Sequence, residues 1–138
     1  LAYEKSIKER EERFHTLAES VPAGIIVADK EQKTHYINNY FVKLFGYEKE
    51  EIPDVDTWMP KAYPDKEKRQ AIIKQWNSTI ERAHSTNSEM EPLEEEVTCK
   101  NGKKRHIEFR MKSGDLFDFI LLTDISSRKK TEKRLKKR

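Results

Sequence analysis

One stretch, residues 94–126, narrows the possible folds more than any other part of the chain. It reads as three strands joined by two tight turns. Val97-Thr98-Cys99 runs into Lys100-Asn101-Gly102-Lys103. An Asn-Gly pair between extended runs is a strong hairpin signal, because a two-residue turn needs φ > 0 at both central residues. In the next run Ile107, Phe109 and Met111 alternate with His106, Glu108, Arg110 and Lys112, so one face is apolar and the other charged. Ser113-Gly114-Asp115 makes a second turn. Residues 117–123 follow, apolar at every position from Phe119 to Leu122. A strand apolar on both faces belongs in the middle of a sheet with something packed on each side. The expectation is an antiparallel sheet with two covers. Its last strand passes directly into Asp124-Ile125-Ser126 and a charged helix.

The first 93 residues supply the covers. Residues 1–20 read as a helix with Tyr3, Ile7, Phe14, Leu17 and Val21 on a heptad seam and Arg10 at its one polar position. Such a helix either covers one face of the sheet or arrives as a coiled coil from upstream, and two and a half heptads leave both open. Pro22-Ala23-Gly24 ends it. Ile25-Ile26-Val27-Ala28 is a short buried strand, Lys30-Glu31-Gln32-Lys33 a turn, and Thr34–Ile37 the return strand. Asn38 is an expected N-cap for a helix over 39–45, and Gly46 its C′ residue. A short helical turn over 48–52 closes at Pro53. Thr57-Trp58-Met59-Pro60 and Tyr63-Pro64-Asp65 read as a loop rich in aromatics and proline. Pro64 then opens a helix running to about Ala83, with Asp65 and Glu67 near its positive end. Its apolar face is Ile72, Ile73, Trp76, Ile80 and Ala83. Residues 84–87 read as a loop.

At 138 residues the chain suits one domain with one core. Charged residues make up 38% and hydrophobic ones 35%, which fits a modest core with solvated helices at its ends. The net charge of +3 conceals two regions. Residues 126–138 hold eight basic residues and one acidic one; residues 1–125 hold 20 basic and 24 acidic. The body is therefore mildly acidic, and no nucleic-acid face is implied. A single cysteine, Cys99, excludes an internal disulfide and fits a reducing, cytoplasmic setting. The first residue is Leu1 rather than Met, so a longer parent is expected, which is free to carry a membrane anchor elsewhere.

The order helix, two strands, several helices, three strands, helix resembles a PAS domain over roughly residues 12–130. The residues that carry the resemblance are the opening from Phe14 to Gly24, with its Pro22-x-Gly24, and Tyr36-Ile-Asn-Asn-Tyr-Phe-Val-Lys-Leu-Phe-Gly-Tyr47. Glu48-Lys-Glu-Glu-Ile52, Thr98-Cys-Lys-Asn-Gly102 and the exit Asp124-Ile-Ser-Ser-Arg-Lys129 follow in the family's order. The resemblance implies an α+β fold: a PAS-like five-stranded antiparallel sheet with helices on one face and the N-terminal helix on the other. It also implies a division into a helical linker (1–13), a sensory domain (14–125) and a basic linker (126–138) to an output domain. Trp58…Ala62-Tyr-Pro-Asp65…Arg69…Trp76 is similar to PAS domains of bacterial sensor kinases and diguanylate cyclases.

No catalytic or metal constellation is legible. His15, His35, His84 and His106 are scattered without ligand spacing, and Cys99 has no neighbouring base to activate it. Flavin-photoadduct relatives place a Cys in an Asn-Cys-Arg-Phe-Leu helix, which is missing here. Haem relatives place a His near the start of the long helix, where this chain has Asp65-Lys-Glu-Lys-Arg69. Neither cofactor is expected. A small organic ligand between the long helix and the sheet is the alternative, walled by Phe41, Phe45, Ile73, Trp76, Phe109 and Leu121. Trp58, Tyr63 and Arg69 would close one end, Arg69 being suited to a carboxylate; the bland reading is that the tryptophans are packing and Arg69 is solvated. Asp124 and Arg128, four residues apart, are the expected signalling joint.

These readings together predict a non-catalytic sensory and relay module, homodimeric through its terminal helices. The expected parent is a bacterial two-component sensor histidine kinase. The alternatives are a diguanylate cyclase parent or a ligand-free dimerisation scaffold.

Overall fold

The computed structural model describes residues 1–86 and 89–136. The chain runs α1 (Ala2–Ser20), β1 (Gly24–Asp29), β2 (Thr34–Ile37), α2 (Asn39–Phe45), a 3-10 turn (Lys49–Glu51), α3 (Val55–Ala62) and α4 (Lys66–Thr86). β3 (Leu93–Thr98), β4 (Lys104–Ser113), β5 (Phe117–Asp124) and α5 (Ser126–Lys136) follow. The strands form one antiparallel sheet in the order β2-β1-β5-β4-β3. The last strand is thus the central one. β5 pairs with β1 from Gly24 opposite Leu122 to Asp29 opposite Phe117, and with β4 from Ile107 opposite Asp124 to Ser113 opposite Asp118.

The Asn-Gly hairpin forms, with a different turn. Only Gly102 takes positive φ, at 85°. Its N–H donates to Cys99 O, and Cys99 N–H donates to Lys103 O at 2.8 Å. Lys100 and Asn101 sit at the turn's centre, and Gly102 absorbs the left-handed residue that follows it, as in longer hairpin loops.

Asn38 is the N-cap of α2, as its side chain dictates, and it is fully buried. Its Oδ1 accepts from Phe41 N and from Ile25 N; its Nδ2 donates to the carbonyls of Ala18 and Ala23. One side chain therefore fastens α1, β1 and α2 together. Gly46 ends α2 at φ 84°.

Three local expectations are corrected. The long helix opens at Lys66 rather than Pro64, with Asp65 Oδ1 accepting from Lys68 N. Trp58-Met59-Pro60 lies in helix α3, capped by Asp54, whose Oδ1 accepts from Thr57 N and Oγ1. Asp56 and Pro60 are both exposed, so the backbone bond that Pro60 cannot make is lost on the water side. The long helix α4 continues past Ala83 to Thr86, so His84 is helical; Asn87 lies outside the described residues.

The two faces of the sheet differ. Helices α2, α3 and α4 bury the inner face, with Phe41, Phe45, Ile52, Ile107 and Leu122 at 1% exposure or less. On the outer face, the last turns of α1 approach β1 and β5. The Phe14 and Tyr36 rings meet edge to face at 5.3 Å, and Ala18 is buried. That cover is partial: Leu17 is 66% exposed and Phe119 44%. The expected second cover of β5 is half open. Among the described residues no helix is long and apolar enough to cross a membrane.

Candidate functional site

Between the inner face of the sheet and helices α3 and α4 lies a cavity of about 70 Å³. The sheet contributes Ile26, Phe109, Ile120 and Leu122; the helices contribute Trp58, Met59, Ile72 and Trp76; Tyr63, between the two helices, closes one side. The wall is apolar because alternate residues of β1, β4 and β5 point inward and the buried stripe of α4 faces them. By volume the cavity holds a few waters or a ligand of a few heavy atoms.

The sequence-expected wall residues divide into three groups. Trp58, Tyr63, Trp76 and Phe109 do line the cavity. Phe41 and Phe45 stand behind it, with ring centroids 5.7 and 5.5 Å from Trp58, the Phe45 pair edge to face, and 4.8 Å from each other. Ile73 packs against the core without reaching the cavity. Leu121 lies on the opposite face of the sheet, beside Phe14, Leu17 and Phe119, because it is one residue out of phase with Ile120 and Leu122. Arg69 is also elsewhere: its Nη1 donates to the carbonyls of Tyr63 and Pro64, closing the α3–α4 corner.

Several polar groups at the cavity wall were not singled out from the sequence. Gln32, the one described non-glycine residue with positive φ (65°), accepts from Trp76 Nε1 at 2.7 Å. It ties α4 to the β1–β2 turn. Asp118, 1% exposed, faces inward at the start of β5. Its Oδ1 receives Lys30 Nζ at 3.0 Å and its Oδ2 pairs with His84 Nε2 at 2.7 Å; Lys30 also donates to Ser113 Oγ. Burial raises the Asp118 pKa, but these hydrogen bonds outweigh it and hold the carboxyl below its ordinary value.

Glu95 is the third such group. Leu93, Glu95 and Val97 share the inward face of β3, and Glu95 lies opposite Ile107, which is fully buried. Glu95 makes no hydrogen bond or ion pair among the described residues, and burial pushes its carboxyl above the usual range. Burial and the Glu95 charge together push the Tyr63 phenol well above its ordinary value. A strand that carries Val97 inward must carry Glu95 inward too, so period-two alternation was the signal that could have found it.

The exit from the sheet is built differently from the expectation. Asp124 Oδ1 accepts from Ser126 N at 2.8 Å, so the start of α5 is capped as the sequence implied. Its other oxygen, however, pairs with Arg105 Nη1 at 2.7 Å, not with Arg128. Arg128 turns back to the sheet and reaches Glu94 at 3.1 Å and Glu108 at 4.0 Å; Lys129 reaches Glu94 at 2.8 Å. Glu94 and Glu108 are cross-strand neighbours on the outer face; α5 pairs mainly with Glu94, while Arg110 holds Glu108 at 2.8 Å. Cys99 is buried and donates through Sγ to Leu44 O, and burial raises its thiol pKa. Among the described residues no group of three or more His, Cys, Asp or Glu is placed to hold a metal ion.

The sheet order, the Asn38 junction and the direct passage from β5 into α5 describe one architecture. A family model for the PAS domain matches residues 12–83. The chain belongs to the PAS family. Solved PAS domains agree with the fold. That of an HTR-like protein from Haloarcula marismortui superposes with a TM-score of 0.66 at 19% identity, covering 90% of this chain and 98% of that one. A domain of a sensory box sensor histidine kinase/response regulator from Geobacter sulfurreducens gives 0.61 at 19% identity, covering 86% and 96%. The PAS domain of Bordetella pertussis BvgS gives 0.61 at 18%, covering 94% and 96%. At such identities the likeness is one of fold. No curated protein matches the chain. This is a PAS sensory domain of the kind found in signalling proteins.

Proposed function

We propose that this PAS domain binds a small organic ligand in the inner cavity and relays its occupancy to α5. The observation that carries the reading is continuity along one strand. Ile120 and Leu122 line the cavity, and two residues later Asp124 holds the first turn of α5. A ligand that favours one packing of β5 against α4 biases the α5 joint by its differential affinity for the two arrangements. The parent is a cytoplasmic bacterial signalling protein, a two-component sensor histidine kinase in the first instance and a diguanylate cyclase in the second. The module itself does no chemistry and hands its signal to an output domain beyond α5. Two copies pair through α1 and α5; Tyr3 is 77% exposed and Ile7 39%, on the seam that a partner helix would cover.

On this reading the ligand is smaller than haem or flavin. What supports it is a space of about 70 Å³ with no His or Cys among its described lining residues. The purified protein should then show no visible absorption band.

The test uses nuclear magnetic resonance on the chain and cyclopentanol as a cavity probe. The two indole N–H signals, Trp58 and Trp76, should move on titration, together with the amides of Ser126 to Arg128. Ala28, which lines the cavity, provides the control: Ala28→Leu should fill it and abolish both responses. Indole shifts without α5 shifts would remove the relay; no indole shift at millimolar probe would remove the ligand site.

A further inference from the structure

We infer that the cavity's ligand carries a cationic nitrogen on a small apolar body, with the cation held at the Glu95 carboxylate. The inference rests on reading the cavity as a ligand site and adds the chemical class of what enters it.

Glu95 belongs to two spaces at once. It lines the apolar cavity beside Tyr63 and Ile72, and it lines the open groove between α3, α4 and β3 that leads out to solvent. Glu95 is half-buried, and a carboxylate partly shielded from water against an apolar wall is stabilised by a cation or donors within reach. Glu95 has neither. The cations that line the groove beyond it are Lys68 and Lys104; Lys68 is exposed and makes no ion pair with it, and Lys104 turns to Glu96 at 3.7 Å. The other acidic cavity residues are already committed, Asp54 to Thr57 and Asp118 to Lys30 and His84. Among the described residues Glu95 is therefore the carboxylate at this wall that no protein group engages. Trp58, Tyr63, Trp76 and Phe109 supply the rest of the selectivity, since aromatic rings favour cations and apolar bodies alike. An anion would meet an uncompensated negative charge at the entrance.

An isosteric probe pair separates the claims. Cyclopentylamine and cyclopentanol share size and shape and differ in charge at pH 7.5. In the wild-type chain the amine should bind about tenfold more tightly or better, read from the Trp58 and Trp76 indole signals. In Glu95→Gln the preference should vanish while cyclopentanol still binds, which also reports that the variant is folded with its cavity intact. Equal affinities in the wild type, or a preference that survives in Glu95→Gln, would overturn the cationic class and leave the cavity as a ligand site. No response to either probe in the wild type would overturn both.

Discussion

The two terminal helices meet the same outer face of the sheet in opposite ways. The end of α1 is fastened by the buried, uncharged amide of Asn38, which grips backbone carbonyls, and Glu19 adds contacts to Tyr36 and Asn39 N. α5 is fastened chiefly by exposed charge: Arg128 and Lys129 on Glu94, with Asp124 capping the first turn. A buried hydrogen-bonded amide is expensive to break, because it leaves donors and acceptors without water. Exposed ion pairs are individually weak and are screened by salt. The entry is thus an anchor and the exit a latch. That asymmetry suits the proposed relay through α5.

The largest break should come from Asn38→Ala. It removes four hydrogen bonds at a fully buried site, and we expect a loss of about 3–5 kcal/mol in urea denaturation, with α1 released as well. A loss below about 1 kcal/mol would mean that α1 is held by its apolar contacts instead.

Asp124→Ala should cost less, about 1–2 kcal/mol, from the lost cap and the loosened Arg105. Its pH dependence sharpens the point. Burial raises the Asp124 pKa, but the hydrogen bonds from Ser126 and Arg105 outweigh that, so the folded value lies below the ordinary one of about 4. The contribution is complete at neutral pH and is lost as pH falls through the folded value. Wild type and Asp124→Ala should therefore differ in thermal melts at pH 7 and converge in acid, once the pH has fallen below the folded value. A difference that persists in acid would assign the effect to packing.

The smallest effect should come from Glu94→Gln. The melt should not move, but amide exchange in residues 128–132 should quicken about two- to threefold, and about 0.5 M salt should do the same to the wild type. The last turn of α1 should respond to neither. Salt-insensitive exchange in α5 would rule out the latch.

What could be read from the sequence tracks how local the cause is. Asn38 and Gly46 were legible because a cap acts on backbone within four residues. The central position of β5 was legible because four successive apolar residues leave little other choice. Which of those four faces the cavity was not, since Ile120 and Leu121 are chemically alike and only the register with β1 and β4 assigns their sides. α3 was hidden by Pro60. The partners of Arg128 were hidden because Glu94 and Glu108 become neighbours only after β3 pairs with β4. Asp118 depends on Lys30 and His84, which lie 88 and 34 residues away along the chain.

That carboxylate has a consequence for how the sheet assembles. Phe117, Phe119 and Leu121 on one side of β5 and Ile120 and Leu122 on the other make its hydrophobicity nearly blind to sliding. A shift by two residues would keep every side chain on its own face and still present oil to oil. It would also carry Asp118 away from Lys30, Ser113 and His84 and strand a charge in the interior. Asp118 works as an alignment pin. It makes one of several similar strand pairings distinguishable at the moment the last strand threads between the first and the fourth.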